Sequence, residues 1–318
     1  MVQGNESTSD RNVQNGQLGR EIKGKDGSLY SPRTVARAIG VSESSLKRWC
    51  DSGKIGAVKT AGGHRRFSQA NIIEFLKNKN KNCELRDPTV IGLPSFEEIA
   101  VADSTDGTQQ MLAALIADDE AQVTKLLMYL FVNGWSIAEI FDQIVSPVFI
   151  EIGKKWSSGE IEVFQERRAC EICLNALRVV RSVLLAPQEN ALKAIGGTLE
   201  GDHFLLPTLA VELTLTSLGW NANSLGSNLP IESMFRAVEA HRPNLMWVSI
   251  SHLDNEDEVA SRMNQFSRKM PPSTWLVIGG HGMSQTMRGK IENAVCCDNL
   301  SQLVTFARTV KMPIEPRF

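Results

Sequence analysis

The spacing of apolar positions changes along this chain, and each change marks a different kind of structure. Between Ser31 and Phe67, Val35, Ala38, Ile39, Val41, Leu46 and Trp49 recur at helical spacing, which predicts two short helices. Pro32 fits the first turn of the first helix, where its missing N–H would have had no partner. Gly40 can take the positive φ that ends it. Ser42 can cap the second helix, with Glu43 near its positive end. The basic stretch from Lys59 to Phe67 reads as a tight hairpin turned at Gly62-Gly63. Ser68 then caps a third helix, whose Ile72, Ile73, Phe75 and Leu76 would seal a small core before the run KNKNKN ends it.

From Thr108 to about Leu185 the pattern is helical throughout. Met111, Leu112, Leu115 and Ile116 form one stripe; Val123, Leu126, Leu127, Leu130 and Phe131 form the next, ended by Asn133-Gly134. Ser136 opens a third helix, Pro147 begins or kinks a fourth, and the last starts near Ile161 or Val163. Four or five helices with short connections predict a bundle. After Pro187 the period changes again. Short apolar runs at 191–198, 221–225, 245–251, 275–278 and 294–296 alternate with helices starting near Leu206, Pro230, Asp254, Met283 and Asn299. This alternation predicts a doubly wound parallel sheet with helices on both faces. Ligands on such sheets bind beyond the carboxyl ends of the strands, which singles out the loops 200–207, 249–254 and 279–282.

The expected organisation is therefore a tail over 1–27, a small helical domain over 28–80, a linker over 81–107, a bundle over 108–188 and an α/β domain over 189–318. The first 19 residues, rich in Asn, Gln, Ser and Gly, bury too little apolar surface to offset ordering entropy and are expected to be disordered. Pro88, Gly92, Pro94 and Gly107 punctuate the linker, with a short turn of structure expected around Phe96 to Ala100.

Charge sharpens this division. The 318 residues carry a net charge of −2, but 14 Lys and Arg against 5 Asp and Glu between Arg20 and Lys81 give that end +9 and leave −11 elsewhere. A basic end on an acidic body points to one nucleic-acid module, with the rest kept off the polyanion. The second helix carries Ser44, Ser45, Lys47 and Arg48, and hydroxyls and cations suit phosphates and base edges. As the second helix of a helix-turn-helix it has the shape to enter a major groove. Lys59, His64, Arg65 and Arg66 sit on the hairpin, a thin basic projection of the kind that follows phosphates or probes a minor groove. The competing reading is a small helical core with a solvated charged face; the GGHRRF hairpin favours double-stranded DNA.

These residues, from about 28 to 78, resemble the winged-helix domain of MerR-type regulators and their excisionase-like relatives, in which GGHRRF or GxRRY marks the wing. The resemblance implies that the second helix reads an operator and the wing contacts flanking backbone, roles that fall here to Lys47, Arg48, Arg65 and Arg66, with Ser44 and Ser45 beside them. Two-fold symmetric heads match palindromic or repeated half-sites, so a homo-oligomer is expected.

A helical bundle followed by a doubly wound domain resembles the cobalamin-binding half of corrinoid proteins. With the MerR-like head, the chain is similar to the LitR/CarH-type light-responsive repressors, in which adenosylcobalamin is the sensor and drives assembly on DNA. The corrinoid signature runs D-x-H-x-x-G, 41 residues, S-x-L, 26–28 residues, G-G, and in the bundle W, nine residues, E-H. Its histidines reach the cobalt from below and, after photolysis, from above; its serine and glycines make room for the nucleotide tail. This sequence keeps the spacing at Asp202, Ser249, Gly279 and Gly280, and at Trp156 and Glu166. Phe204 and Arg167 stand at the two histidine positions, Pro207 at the glycine, and Ser251 at the leucine. Phenylalanine has no lone pair to give, proline fixes φ where the tail should pass, and arginine is always protonated. His203 is adjacent to the ligand position, and a one-residue shift in the loop could aim it at cobalt, but would also move Asp202. His252 and His281 lie on neighbouring loops and could contact a bound molecule. Trp156, Phe164 and Glu166 are expected to face the sheet across an interdomain cleft.

Among six cysteines, Cys170 and Cys173 are spaced as a metal or redox pair, but no second pair completes a zinc site; small buried thiols are the alternative. No signal peptide or apolar run of about 18 residues is visible, so a reducing cytoplasm and no membrane association are expected. No P-loop, H-E-x-x-H or Ser–His–Asp pattern is present. The sequence thus predicts a non-enzymatic DNA-binding regulator that does not depend on cobalamin and holds no metal. The alternatives are an adenosylcobalamin-dependent light-sensing repressor and a corrinoid-dependent methyltransferase or mutase subunit.

Overall fold

The computed structural model describes residues 28–78, 84–251 and 255–311. The expected disordered tail, the end of the KNKNKN run and His252 lie outside those residues.

The head forms as its pattern requires. Helix α1 (Pro32–Ala38) has Pro32 in its first turn, and the Ser31 hydroxyl accepts the Thr34 N–H. Gly40 turns the chain at φ +67°. Helix α2 (Glu43–Asp51) is capped by Ser42, whose hydroxyl accepts the Ser45 N–H. Strands β1 (Val58–Lys59) and β2 (Arg65–Arg66) pair antiparallel; of the two glycines between them, only Gly63 takes positive φ. Helix α3 (Gln69–Lys77) starts at a Ser68 cap and ends at Asn78. Val35, Ala38, Ile39, Leu46, Phe67, Ile72, Ile73 and Phe75 are buried together, while Val41, Trp49 and Leu76 are half-buried at the rim.

The stretch expected as a linker packs instead, in its described part. A 3₁₀ turn at Pro88–Ile91 lies against α1: the Arg86 and Asp87 N–H groups donate to the Ala38 carbonyl, and the Gln69 amide donates to the Ile91 carbonyl. Ile91, Leu93 and Ile99 are buried in one apolar cluster that runs from the head into the bundle. Irregular backbone hides its apolar residues from any periodicity test. The bundle also begins earlier than expected, with α4 (Ser104–Ile116) capped by Asp103. Gly107 is a contact residue inside this helix: a Cβ there would come within 2.8 Å of the Ile144 side chain.

Helix α5 (Glu120–Val132) follows, then α6 (Ile137–Ile140), opened by a reciprocal Ser136–Glu139 capping box. A π-helical turn, Phe141–Val145, joins it to α7 (Ser146–Ser157), so Pro147 sits at the start of a helix that continues the same rod. Helix α8 (Val163–Ser182) closes the bundle against α5.

The α/β domain holds β3 (Lys193–Thr198), α9 (Leu205–Ser217), β4 (Asn221–Ser224), α10 (Ile231–His241), β5 (Leu245–Ser249), α11 (Glu256–Lys269), β6 (Trp275–Gly279), α12 (Gln285–Lys290), β7 (Val295–Cys297) and α13 (Leu300–Lys311). The five strands are parallel, in the order β4-β3-β5-β6-β7. Alternate strand residues separate the two faces. Met246, Val248, Leu276 and Ile278 meet α10, α11 and α12; Ala194, Leu245, Trp247 and Val277 meet α9 and α13. The strand order reverses between β3 and β5, which places the crevice beyond their carboxyl ends.

The bundle is fastened to this crevice. The Asp142 carboxylate, in the π-helical turn, accepts the Leu300 and Ser301 N–H groups at 3.0 and 2.9 Å and the Ser301 hydroxyl at 2.6 Å, capping α13 from another domain. Arg181 of α8 pairs with Glu212 of α9 at 2.8 Å. Asp142→Ala removes the carboxylate that accepts the Leu300 and Ser301 N–H groups, leaving the Asn299 cap on Gln302, and is expected to cost about 1–2 kcal/mol. Hydrogen exchange should show the loss as reduced protection of the first turn of α13, with the head unaffected.

Candidate nucleic-acid interface and interdomain cavity

The α2 face presents Ser44, Lys47 and Arg48 to solvent, with Ser45 half-buried. Leu46 and Trp49 hold the opposite side of the helix in the core, so the polar side is left facing outward. Ser44 and Ser45 are also tied to the Ser42 hydroxyl at 2.9 and 3.0 Å. Lys59 and His64 are exposed on the hairpin, and Arg66 is half-buried with its guanidinium on the Arg65 carbonyl. Arg65 is engaged: its guanidinium pairs with Asp51 at the end of α2. That pair braces the hairpin against α2 and neutralises one cation of the expected DNA surface. Sequence reasoning could not see it, because the two residues are brought together only by the turn between them.

The cleft between bundle and sheet is a cavity of about 920 Å³. Trp156, Glu166, Ser249, Gly279, Gly280 and His281 line it. The other expected site residues are placed differently. Asp202 is buried and sits beneath the cavity wall, where its carboxylate accepts the Phe204 N–H at 3.0 Å and the Ser251 N–H at 2.6 Å. It thereby ties the loop after β3 to the loop after β5 at the point of strand reversal. His203 is exposed and is absent from the cavity lining. Phe164, expected to face the sheet, is 67% exposed and outside the lining.

The glycines of the motif have backbone reasons to be there. A Cβ on Gly280, at φ +121°, would lie 2.2 Å from the Ile250 carbonyl oxygen, and one on Gly279 would lie 2.7 Å from that of Cys297. Pro207 falls in the first turn of α9, where no intrahelical bond is lost. Trp247 fills the layer between the sheet and α9. Its indole N–H donates to the Thr208 hydroxyl at 3.0 Å, and Gly196 leaves the space for its ring. At the cavity edge, the Arg167 guanidinium lies over the Phe204 ring, 5.7 Å from its centroid, and contacts Glu166 at 3.3 Å.

The paired cysteines are not poised for metal or redox work. Burial, with Glu166 adding to it, pushes the Cys170 thiol up to about 12, and burial raises Cys173 as well. Cys170 donates weakly to Glu166 at 3.4 Å. Both thiols stay protonated at neutral pH, and a protonated thiol is a poor ligand and nucleophile.

Comparison with known proteins agrees with this architecture. Residues 29–80 match the model of a helix-turn-helix domain, and residues 108–181 match that of a B12 binding domain. The HTH-type transcriptional repressor CarH of Myxococcus xanthus is 24% identical over 172 residues, covering 54% of this chain and 56% of that protein. The HTH-type transcriptional repressor CarA of the same organism is 22% identical over 269 residues, covering 80% and 88%. The chain resembles the CarH-type regulators. It spans about half the length of CarH in that match, and most of CarA. Among solved structures, the monomethylamine corrinoid protein of Methanosarcina barkeri superposes with a TM-score of 0.54 at 18% identity, over 65% of this chain and all of that one. That likeness is one of fold: a bundle beside a parallel sheet. The helix-turn-helix expected from the sequence is thus matched, and the expected parallel α/β region has a fold that resembles those of corrinoid-binding proteins. Among the described residues no helix is long and apolar enough to cross a membrane.

Two outcomes follow from this geometry. Arg48→Ala and Arg66→Ala should each weaken DNA binding across all sequences and lower the slope of log affinity against log salt by about one. Arg65→Ala should weaken binding with a smaller change of slope, because Asp51 already neutralises it. At pH 8, Cys170 should be alkylated by iodoacetamide about 10³-fold more slowly than an ordinary thiol, following its thiolate fraction; peptide mass mapping over time measures this.

Proposed function

We propose that this chain is a sequence-specific transcriptional regulator that binds double-stranded DNA through its helix-turn-helix head and whose B12-domain-like half works without cobalamin. The domain matches and the two repressors it resembles support a regulator over an enzyme. Its setting is the cytoplasm, where it acts as an oligomer on repeated half-sites.

The observation that carries cobalamin independence is the contact of Arg167 with Phe204. These residues stand at the two positions where the corrinoid signature has histidines above and below the cobalt. A flat ring held between two such groups needs them about 7 Å apart or more, twice an ordinary contact distance of ~3.5 Å. Here the guanidinium carbon lies 5.7 Å from the ring centroid, short of that separation, and neither group can donate a lone pair to a metal. The Trp247 indole occupies the layer between sheet and α9, and Pro207 replaces the glycine beside it. The residues present do not fit cobalamin bound through a protein histidine.

One observation favours the second reading, an adenosylcobalamin-dependent light-sensing repressor: the 920 Å³ cavity with Trp156, Glu166, Ser249, Gly279 and Gly280 in its walls. A gel shift on the chain's own promoter region separates the two. Equal DNA affinity in the dark with and without adenosylcobalamin, and no corrin absorption after desalting, is the expected result. An absolute requirement for adenosylcobalamin would overturn the first reading and establish the second.

A further inference from the structure

A second cavity, of about 670 Å³, lies where the head, the bundle and the α/β domain meet. It shares no lining residue with the interdomain cavity. Ile73 of α3, Phe131 of α5, and Val183, Leu184, Pro187 and Leu192 of the connection into β3 supply an apolar side, and Gln188, Asn190, Thr216 and Ser217 a polar one. Among the described lining residues, Glu74 and Lys77 are the only charged ones. Lys77 is the last residue of α3, and its ammonium sits 3.6 Å from the centre of the Phe131 ring.

Among the described residues, that ring face is the partner the ammonium has. No carboxylate of the described residues forms an ion pair with it; Glu74, one turn back on α3, and Glu139 on α6 act only at longer range. A ring quadrupole returns part of the cost of taking an ammonium from water, not all of it. Burial accordingly pushes the Lys77 amine down to about 8. A cavity with one apolar side and one cation that no described carboxylate pairs is complementary to an anion on an apolar body, and its volume falls within the roughly 300–1,000 Å³ of small-molecule sites. We propose that this junction binds a small amphipathic monocarboxylate, its carboxylate on Lys77 and its apolar part against Phe131 and the 183–192 connection. Such a ligand touches α3 of the head and both other domains at once, so its occupancy couples to how the head is held on the body.

Isothermal titration of the full chain with sodium decanoate, below its micellar range, tests this at pH 8.5 in two buffers of different ionisation enthalpy. In the free protein Lys77 is then mostly neutral. A bound carboxylate raises its pKa toward the ordinary range, so binding should draw up to about 0.7 proton per molecule. Lys77→Met should abolish the proton uptake and weaken decanoate at least tenfold. Lys77→Arg should keep the affinity without the uptake, and Glu74→Gln should tighten binding. Absence of millimolar binding to the wild-type chain would overturn the proposal. So would binding that takes up no proton, or that persists unchanged in Lys77→Met, since the probe would then occupy the interdomain cavity.

Discussion

Helix α9 must satisfy two cores at once, and the rest of the body follows from that. Its Leu213 and Ala210 join the apolar cluster of the bundle, while Leu215 packs under the sheet with Trp220 and Trp247. A helix buried on both sides cannot present a polar face, so LLPTLAVELTLTS is apolar nearly all round. Two of the polar groups it carries bind neighbouring elements, while the buried Thr214 and Thr216 hydroxyls have no hydrogen-bond partner among the described residues. Thr208 receives the Trp247 indole N–H, and Glu212 receives both Arg181 and the Ser224 N–H. Glu212 is almost fully buried; a carboxylate there is tolerable because each oxygen has a partner.

Because α9 is shared, the bundle sits over the carboxyl edge of the sheet, and the cleft arises between the end of α7, the start of α8 and the loops after β3, β5 and β6. The cleft is therefore a consequence of packing. The same holds for its motif residues. Asp202 ties two loops at the strand reversal, and Gly279 and Gly280 permit a close backbone approach. A signature that elsewhere serves a corrin can persist in outline here because part of it holds the sheet edge together.

The head is joined to the body by continuity of core rather than by a tether. Ile91, Leu93 and Ile99 carry the apolar cluster from α1 into the bundle, and the Lys77–Phe131 contact adds a second joint. The side of α2 that carries Ser44, Lys47 and Arg48 stays exposed in this arrangement.

Much was legible from sequence because it depends on local rules. Pro32 in the first turn of α1, the caps at Ser42, Ser68 and Ser136, the start of α8 near Ile161 or Val163 and the βα alternation after Pro187 each rest on a few neighbouring residues whose backbone needs are visible in the chain. The helix-turn-helix and the parallel sheet were fixed at that level. What tertiary structure alone decided was pairing at a distance. It put Arg65 on Asp51, Asp142 on the first turn of α13, Arg181 on Glu212 and Arg167 on Phe204; it sent His203 outward, left Phe164 outside the cleft and turned an unpatterned linker into core. None of these has a sequence signature, because a side-chain contact between remote residues is set by how elements pack, and packing has no period along the chain.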